Sequence, residues 1–115
     1  EYALEKGNDK IVVVLTRNPG YRKKRAVKAT EQLYKRAYKK YPNLVHTIMT
    51  RNAVYNKQMK LIEKLEEEGK IFVIRPLIPT VSRMEKDYDK LQHFYMHGNR
   101  LMKKEYQGLL EYLNE

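Results

Sequence analysis

Two short runs in this chain are apolar at every position: Ile11-Val-Val-Val-Leu15 and Ile71-Phe-Val-Ile74. Each is too short for an ordinary helix and rich in β-branched or aromatic side chains, so each predicts a strand. Strands without polar alternation are covered on both faces, which is the habit of central parallel strands. Elsewhere the apolar positions recur every three or four residues. Val27, Leu33, Tyr34, Ala37, Tyr38 and Tyr41 predict a helix over 26–41, closed by Pro42. Asn43 then caps a longer helix reaching Gly69, with Leu44, Ile48, Tyr55, Met59, Ile62 and Leu65 on one side. Glu66-Glu67-Glu68 opposes the helix dipole there, which predicts a frayed or exposed end.

Pro76 and Pro79 hold the segment after the second strand extended. Ser82-Arg83-Met84-Glu85 has the capping-box spacing and predicts a short helical turn. Asp87 caps the last helix, Tyr88 to Leu113, whose expected buried side is Leu91, Phe94, Tyr95, Leu101, Met102, Leu109, Leu110 and Leu113. Burying such side chains at about 1.5–3 kcal/mol each outweighs the roughly 1 kcal/mol cost of Gly98, so the helix runs through it. Glu1 to Gly7 resembles the last turns of a helix that begins upstream. The order β-α-α-β-α, with about 55 residues between the strands, suits a right-handed parallel crossover. Two parallel strands do not make a stable sheet alone. Residues 1–115 are therefore expected to be one portion of a larger α/β domain, with self-association as the other way to cover the strands.

Charge sharpens the picture. Between Arg17 and Lys40 there are ten Lys or Arg (17, 22, 23, 24, 25, 28, 35, 36, 39 and 40) and one acid, Glu31. The rest of the chain carries 14 basic and 13 acidic residues, so nearly all of the net charge of +10 lies in that window. Such a block attracts anionic lipid or nucleic-acid phosphate, or simply keeps a protein soluble. The loop at its head, Asn18-Pro-Gly-Tyr-Arg-Lys-Lys-Arg25, leaves the first strand through a turn. Tyr21 beside Arg22, Lys23, Lys24 and Arg25 suits a membrane interface, and also single-stranded nucleic acid. With parallel strands, Arg17 and Arg75 both emerge at the carboxyl edge of the sheet, where open α/β folds place ligands, and can hold an anionic group. The alternative is that each pairs with a carboxylate from the rest of a larger domain.

Other chemistry is sparse. The single serine, Ser82, has no glycine elbow and is better explained as a cap. His93 and His97 are four apart, but no metalloprotease glutamate follows His93, so no metal site is assigned. The five glycines form no phosphate loop, and no cofactor is implied. Without cysteine there are neither disulfides nor thiolate metal sites, and a reducing compartment is the plainer expectation. No apolar run approaches the roughly 20 residues of a spanning helix. The expected location is cytoplasmic, with peripheral contact at a membrane.

The run Lys10-Ile-Val-Val-Val-Leu-Thr-Arg17 with Asn-Pro-Gly-Tyr-Arg-Lys-Lys24 resembles the C-terminal part of bacterial patatin-like phospholipases. The likeness continues through Lys39-Lys-Tyr-Pro42, Arg51 with Tyr55-Asn56, Gly69-Lys-Ile-Phe-Val-Ile-Arg-Pro76 and Arg83-Met-Glu-Lys-Asp87, and ends near Leu91 to Gly98. It implies a three-layer α/β/α fold and a Ser–Asp dyad acting on lipid esters. The family's Gly-x-Ser-x-Gly elbow, glycine-rich oxyanion loop and Asp-Gly have no counterpart in these residues, and Asp9 is not followed by glycine. The expectation is a non-catalytic C-terminal portion of a lipid acyl hydrolase, partnered by the rest of that domain and by an anionic phospholipid surface. The alternative is a non-enzymatic basic module binding nucleic acid, although fully apolar strands argue against a helix-turn-helix.

Overall fold

The computed structural model describes residues 1–115 as α1 (Tyr2–Glu5), β1 (Val12–Val14), α2 (Lys28–Ala37), α3 (Pro42–Glu67), β2 (Phe72–Ile74) and α4 (Tyr88–Asn114). It is mixed α/β and mostly helical, with two parallel strands. Two compact units make up the chain: Glu1–Tyr21 with Leu65–Glu115, and Arg22–Lys64.

In the first unit, β1 and β2 pair in parallel with Val12 opposite Phe72, Val13 opposite Val73 and Val14 opposite Ile74. The ladder extends one residue at each end, where Phe72 N–H donates to Ile11 O and Leu15 N–H donates to Ile74 O. Glycine sets the entry to each strand. Gly69 takes φ +68° while its N–H donates to Glu66 O and Lys70 N–H donates to Leu65 O, a Schellman ending that turns the chain into β2. Gly7, at φ +70°, ends α1 in the same way, with the Asn8 side-chain amide donating to Ala3 O.

Helix α4 packs on β2 and carries the one residue that ties both strands together, Tyr112, which is 9% exposed. Its hydroxyl accepts from Ile11 N–H at 3.1 Å and lies 3.0 Å from Lys70 O and 3.3 Å from Ile11 O. Its ring meets Phe72 at 5.8 Å between centroids. Asp87 caps α4 as expected, its Oδ1 accepting from the Asp89 and Lys90 N–H groups, and the helix passes unbroken through Gly98.

Three expectations require correction here. The strands are not covered on both faces, since Ile71 and Ile74 are buried but Val14 is 70% exposed. On α4, Leu91, Tyr95 and Leu113 lie in solvent while the unforeseen Tyr112 is buried. Both follow from width, because strands lie about 4.8 Å apart and a pair of them covers only a narrow strip of a 27-residue helix. Ser82–Glu85 forms a turn without helix: Ser82 Oγ accepts from Met84 N–H, and Glu85 Oε1 accepts forward from Lys86 and Asp87. The acidic run at 66–68 is exposed, as expected, and two of its carboxylates are paired, Glu66 with Arg75 and Glu68 with Lys70.

The second unit holds α2 and most of α3. Helix α2 ends at Ala37, four residues before Tyr41, and Pro42 starts α3. Proline is suited to a first helical position, where its missing N–H costs nothing, so it opens the next helix as well as closing the last. Val45, 5% exposed, is the buried side chain of this unit. No helix of the chain is long and apolar enough to cross a membrane.

Candidate anion-binding site

The carboxyl edge of the sheet is built by two loops that leave β1 and β2. Asn18, Pro19, Gly20 and Tyr21 form a tight turn, with Gly20 at φ +75° and Tyr21 N–H donating to Asn18 O. The Asn18 side-chain amide donates to Pro76 O at 3.1 Å and Ile78 O at 2.7 Å, which binds the two loops to each other. Here Arg17 and Arg75 have separate partners. Arg17 donates to Thr80 Oγ1 at 3.3 Å and lies 5.0 Å from the Tyr21 ring centre. The Arg75 side chain, 13% exposed, is ion-paired with Glu66. An open cavity of about 440 Å³ beside this pair is lined by Glu66, Arg75, Leu77, Leu101 and Glu105 among others. A carboxylate thus already holds one of the two arginines, and it belongs to this chain. His97 is also engaged, its Nε2 accepting from Leu77 N–H at 3.1 Å.

The cationic loop presents a different arrangement. Arg22 Nη2 lies 2.6 Å from Glu63 Oε2. The Asn56 side chain clasps the backbone of Lys23 from both sides, its Oδ1 accepting from Lys23 N–H at 2.8 Å and its Nδ2 donating to Lys23 O at 2.9 Å. Asn52 Nδ2 donates to Lys24 O at 2.7 Å. Lys23 Nζ stands 4.2 Å over the Tyr55 ring. Asn52, Asn56 and Glu63 are spaced i, i+4 and i+11, so one face of α3 holds the loop straight along its length. The loop is extended and is bound to a helix by four side chains.

Beside this clasp lies an open depression of about 410 Å³, lined by Lys23, Arg25, Asn52, Ala53, Asn56, Lys57 and Lys60. Four cations and two carboxamides face it, and no carboxylate does. The surrounding unit, Arg22–Lys64, carries 13 Lys or Arg against Glu31 and Glu63, while the other unit carries 11 against 12 acids. Both acids of the basic unit are already paired, Glu63 with Arg22 and Glu31 with Lys35 at 2.7 Å. The hydrogen bond from Lys35, then its charge and that of Lys28, holds the Glu31 carboxyl below its ordinary range. Lys57 and Lys60 were not among the expected site residues. Asn56 belonged to the resemblance without an assigned role, and its clasp could be anticipated only by knowing that the loop returns to α3.

Fold and site together define a mixed, mostly helical α/β protein in which one segment of the chain concentrates the positive charge. Residues 41–114 match the family described as Domain of unknown function (DUF6363), and the chain belongs to that family. Among curated proteins and solved structures nothing matches it.

Proposed function

We propose that this chain is the C-terminal portion of a patatin-like lipid acyl hydrolase and that its basic segment draws the enzyme to anionic lipid. The resemblance of the strand and loop segments supports the family. The observation that carries the reading is the bare outer side of a fully apolar β1, with Val14 70% exposed. Parallel strands of this composition are ordinarily buried between layers, so further strands and helices of a three-layer α/β/α domain would cover it. The exposed Leu91, Tyr95 and Leu113 on α4 support the same need for a covering layer. In the parent enzyme a serine outside these residues attacks the ester carbonyl with an aspartate as base, and this chain contributes strands, helices and the cationic surface.

In the basic unit the charges of Lys24 and Arg25 and those lining the depression supply the attraction to lipid, and Tyr21, 36% exposed in the other unit, is a separate interfacial contact. Arg22 and Lys23 have structural work as well, through Glu63, Asn56 and Tyr55. The test is co-sedimentation of the parent enzyme that contains this chain with phosphatidylserine vesicles at low salt, using Lys24→Gln with Arg25→Gln, alongside hydrolysis of a phospholipid ester. Reduced vesicle binding with unchanged hydrolysis of a soluble ester is expected. Unaltered vesicle binding, or no ester hydrolysis by the parent enzyme, refutes the respective half. Steeply salt-dependent binding to single-stranded nucleic acid without lipid preference would favour the nucleic-acid reading of the same charge.

A further inference from the structure

The depression beside the loop is more than a part of a diffuse basic surface. Its cations come from two directions, Lys23 and Arg25 from the extended loop and Lys57 and Lys60 from α3. The backbone that carries Lys23 and Arg25 is tied to α3 before any ligand arrives, because Asn56 holds the backbone of Lys23 and Asn52 holds that of Lys24, the residue before Arg25. Arg25, Lys57 and Lys60 make no ion pair within the chain, and no carboxylate lines the depression to compete for them. Its volume, about 410 Å³, lies in the roughly 300–1,000 Å³ range of small-molecule sites and far exceeds one phosphate group.

We propose that this depression binds a ligand carrying two or more phosphate monoester groups. A monoester carries between one and two negative charges at neutral pH and presents three acceptor oxygens. A diester carries only one charge. Four cations around one depression, Lys23 among them with its ammonium also over the Tyr55 ring, therefore discriminate in favour of clustered monoesters, with Arg25 able to engage one of them bidentately. The inference goes beyond attraction to anionic bilayers and does not require the chain to belong to a hydrolase. Both a phosphorylated inositol lipid headgroup and a soluble inositol polyphosphate present this chemistry.

The experiment is titration calorimetry of the protein with inositol 1,4,5-trisphosphate at fixed salt, paired with co-sedimentation on vesicles containing either phosphatidylinositol 4,5-bisphosphate or charge-matched phosphatidylserine. Lys57→Gln with Lys60→Gln should weaken trisphosphate binding about thirty-fold, taking about 1 kcal/mol per lysine near a phosphate surface. Lys39→Gln with Lys40→Gln removes the same charge from the same unit outside the depression, and should change it less than three-fold. Asn56→Ala keeps every charge but frees the loop, and should also weaken binding. Preference for the bisphosphate vesicles identifies the headgroup as the source, and binding of the trisphosphate alone identifies a soluble ligand. Equal weakening by the two lysine pairs, or no saturable trisphosphate binding, overturns the site even where phosphatidylserine vesicles are still bound.

Discussion

Removing one oxygen atom tests how this fold is held. In Tyr112→Phe the ring keeps its place against Phe72, 5.8 Å away, and only the hydroxyl is lost. That hydroxyl accepts from Ile11 N–H at 3.1 Å and donates its single proton, Lys70 O at 3.0 Å being the nearer acceptor. Ile11 precedes β1 and Lys70 precedes β2, so one side chain closes the amino-terminal end of the whole ladder. A typical hydrogen bond contributes about 0.5–1.5 kcal/mol net, and a donor or acceptor left dry costs about 1–3 kcal/mol. These partners are half-buried and water reaches them in part, so the loss is set at about 2 kcal/mol. For a chain of this size that corresponds to a fall in Tm of roughly 8 °C.

The assay is equilibrium urea denaturation followed by circular dichroism, with amide hydrogen exchange read at Ile11. The midpoint should fall with an unchanged slope, because the surface exposed on unfolding is the same. Exchange at Ile11 should accelerate most. Tyr112→Leu, which also removes the ring from Phe72, should cost clearly more. A phenylalanine variant within about 0.3 kcal/mol of the parent, with Ile11 exchange unchanged, would refute the claim that this hydroxyl closes the strand pair.

Three further outcomes follow from the same geometry. Glu66→Gln strands the nearly buried Arg75 cation and should cost about 1–2 kcal/mol by the same urea assay, less than a fully buried pair because Glu66 is 40% exposed; Arg75→Leu, which leaves no buried charge, should cost less, and the reverse order would count against the pairing. Gly98→Ala meets open space around the new methyl group and should stabilise α4 by roughly 0.5–1 kcal/mol, which thermal melting can check. The Glu31 carboxyl titrates below its ordinary range, so its contribution to stability is present above the unfolded pKa and is lost as pH falls through the lowered folded value. An NMR titration should show the midpoint rising in Lys35→Gln, and an unmoved midpoint would remove Lys35 as the cause.

Much of the fold is legible in local chemistry. Unbroken apolar runs predict both strands, Asp87 predicts the start of α4, and the residues between the strands agree with their parallel pairing. The errors share a physical origin. Periodicity says which side chains want burial, and only the tertiary arrangement says which obtain it. Tyr95 is on the apolar face of α4 and stays in solvent, whereas Tyr112 is buried because its hydroxyl finds the backbone polar groups that a leucine would leave unpaired. Pro42 is a related case, as local sequence marks a break without saying that the next helix begins on the same residue.

The charge of the Arg17–Lys40 window is plain in the composition, but its arrangement is not. Of the residues expected to face an anion, Arg75 is held by Glu66, Arg22 by Glu63 and Lys23 by Tyr55 and Asn56, while Lys57 and Lys60 come from outside the window. This redistribution separates two uses of positive charge. A diffuse patch depends on how many charges it has, so any lysine of the Arg22–Lys64 unit should be interchangeable with any other. A built site depends on where they stand, and here two asparagines with no charge hold the backbone of Lys23, which lines the depression, and of Lys24, which precedes Arg25. If Asn56→Ala weakens trisphosphate binding while the charge stays the same, position has outweighed number, and this surface recognises a ligand as well as attracting one.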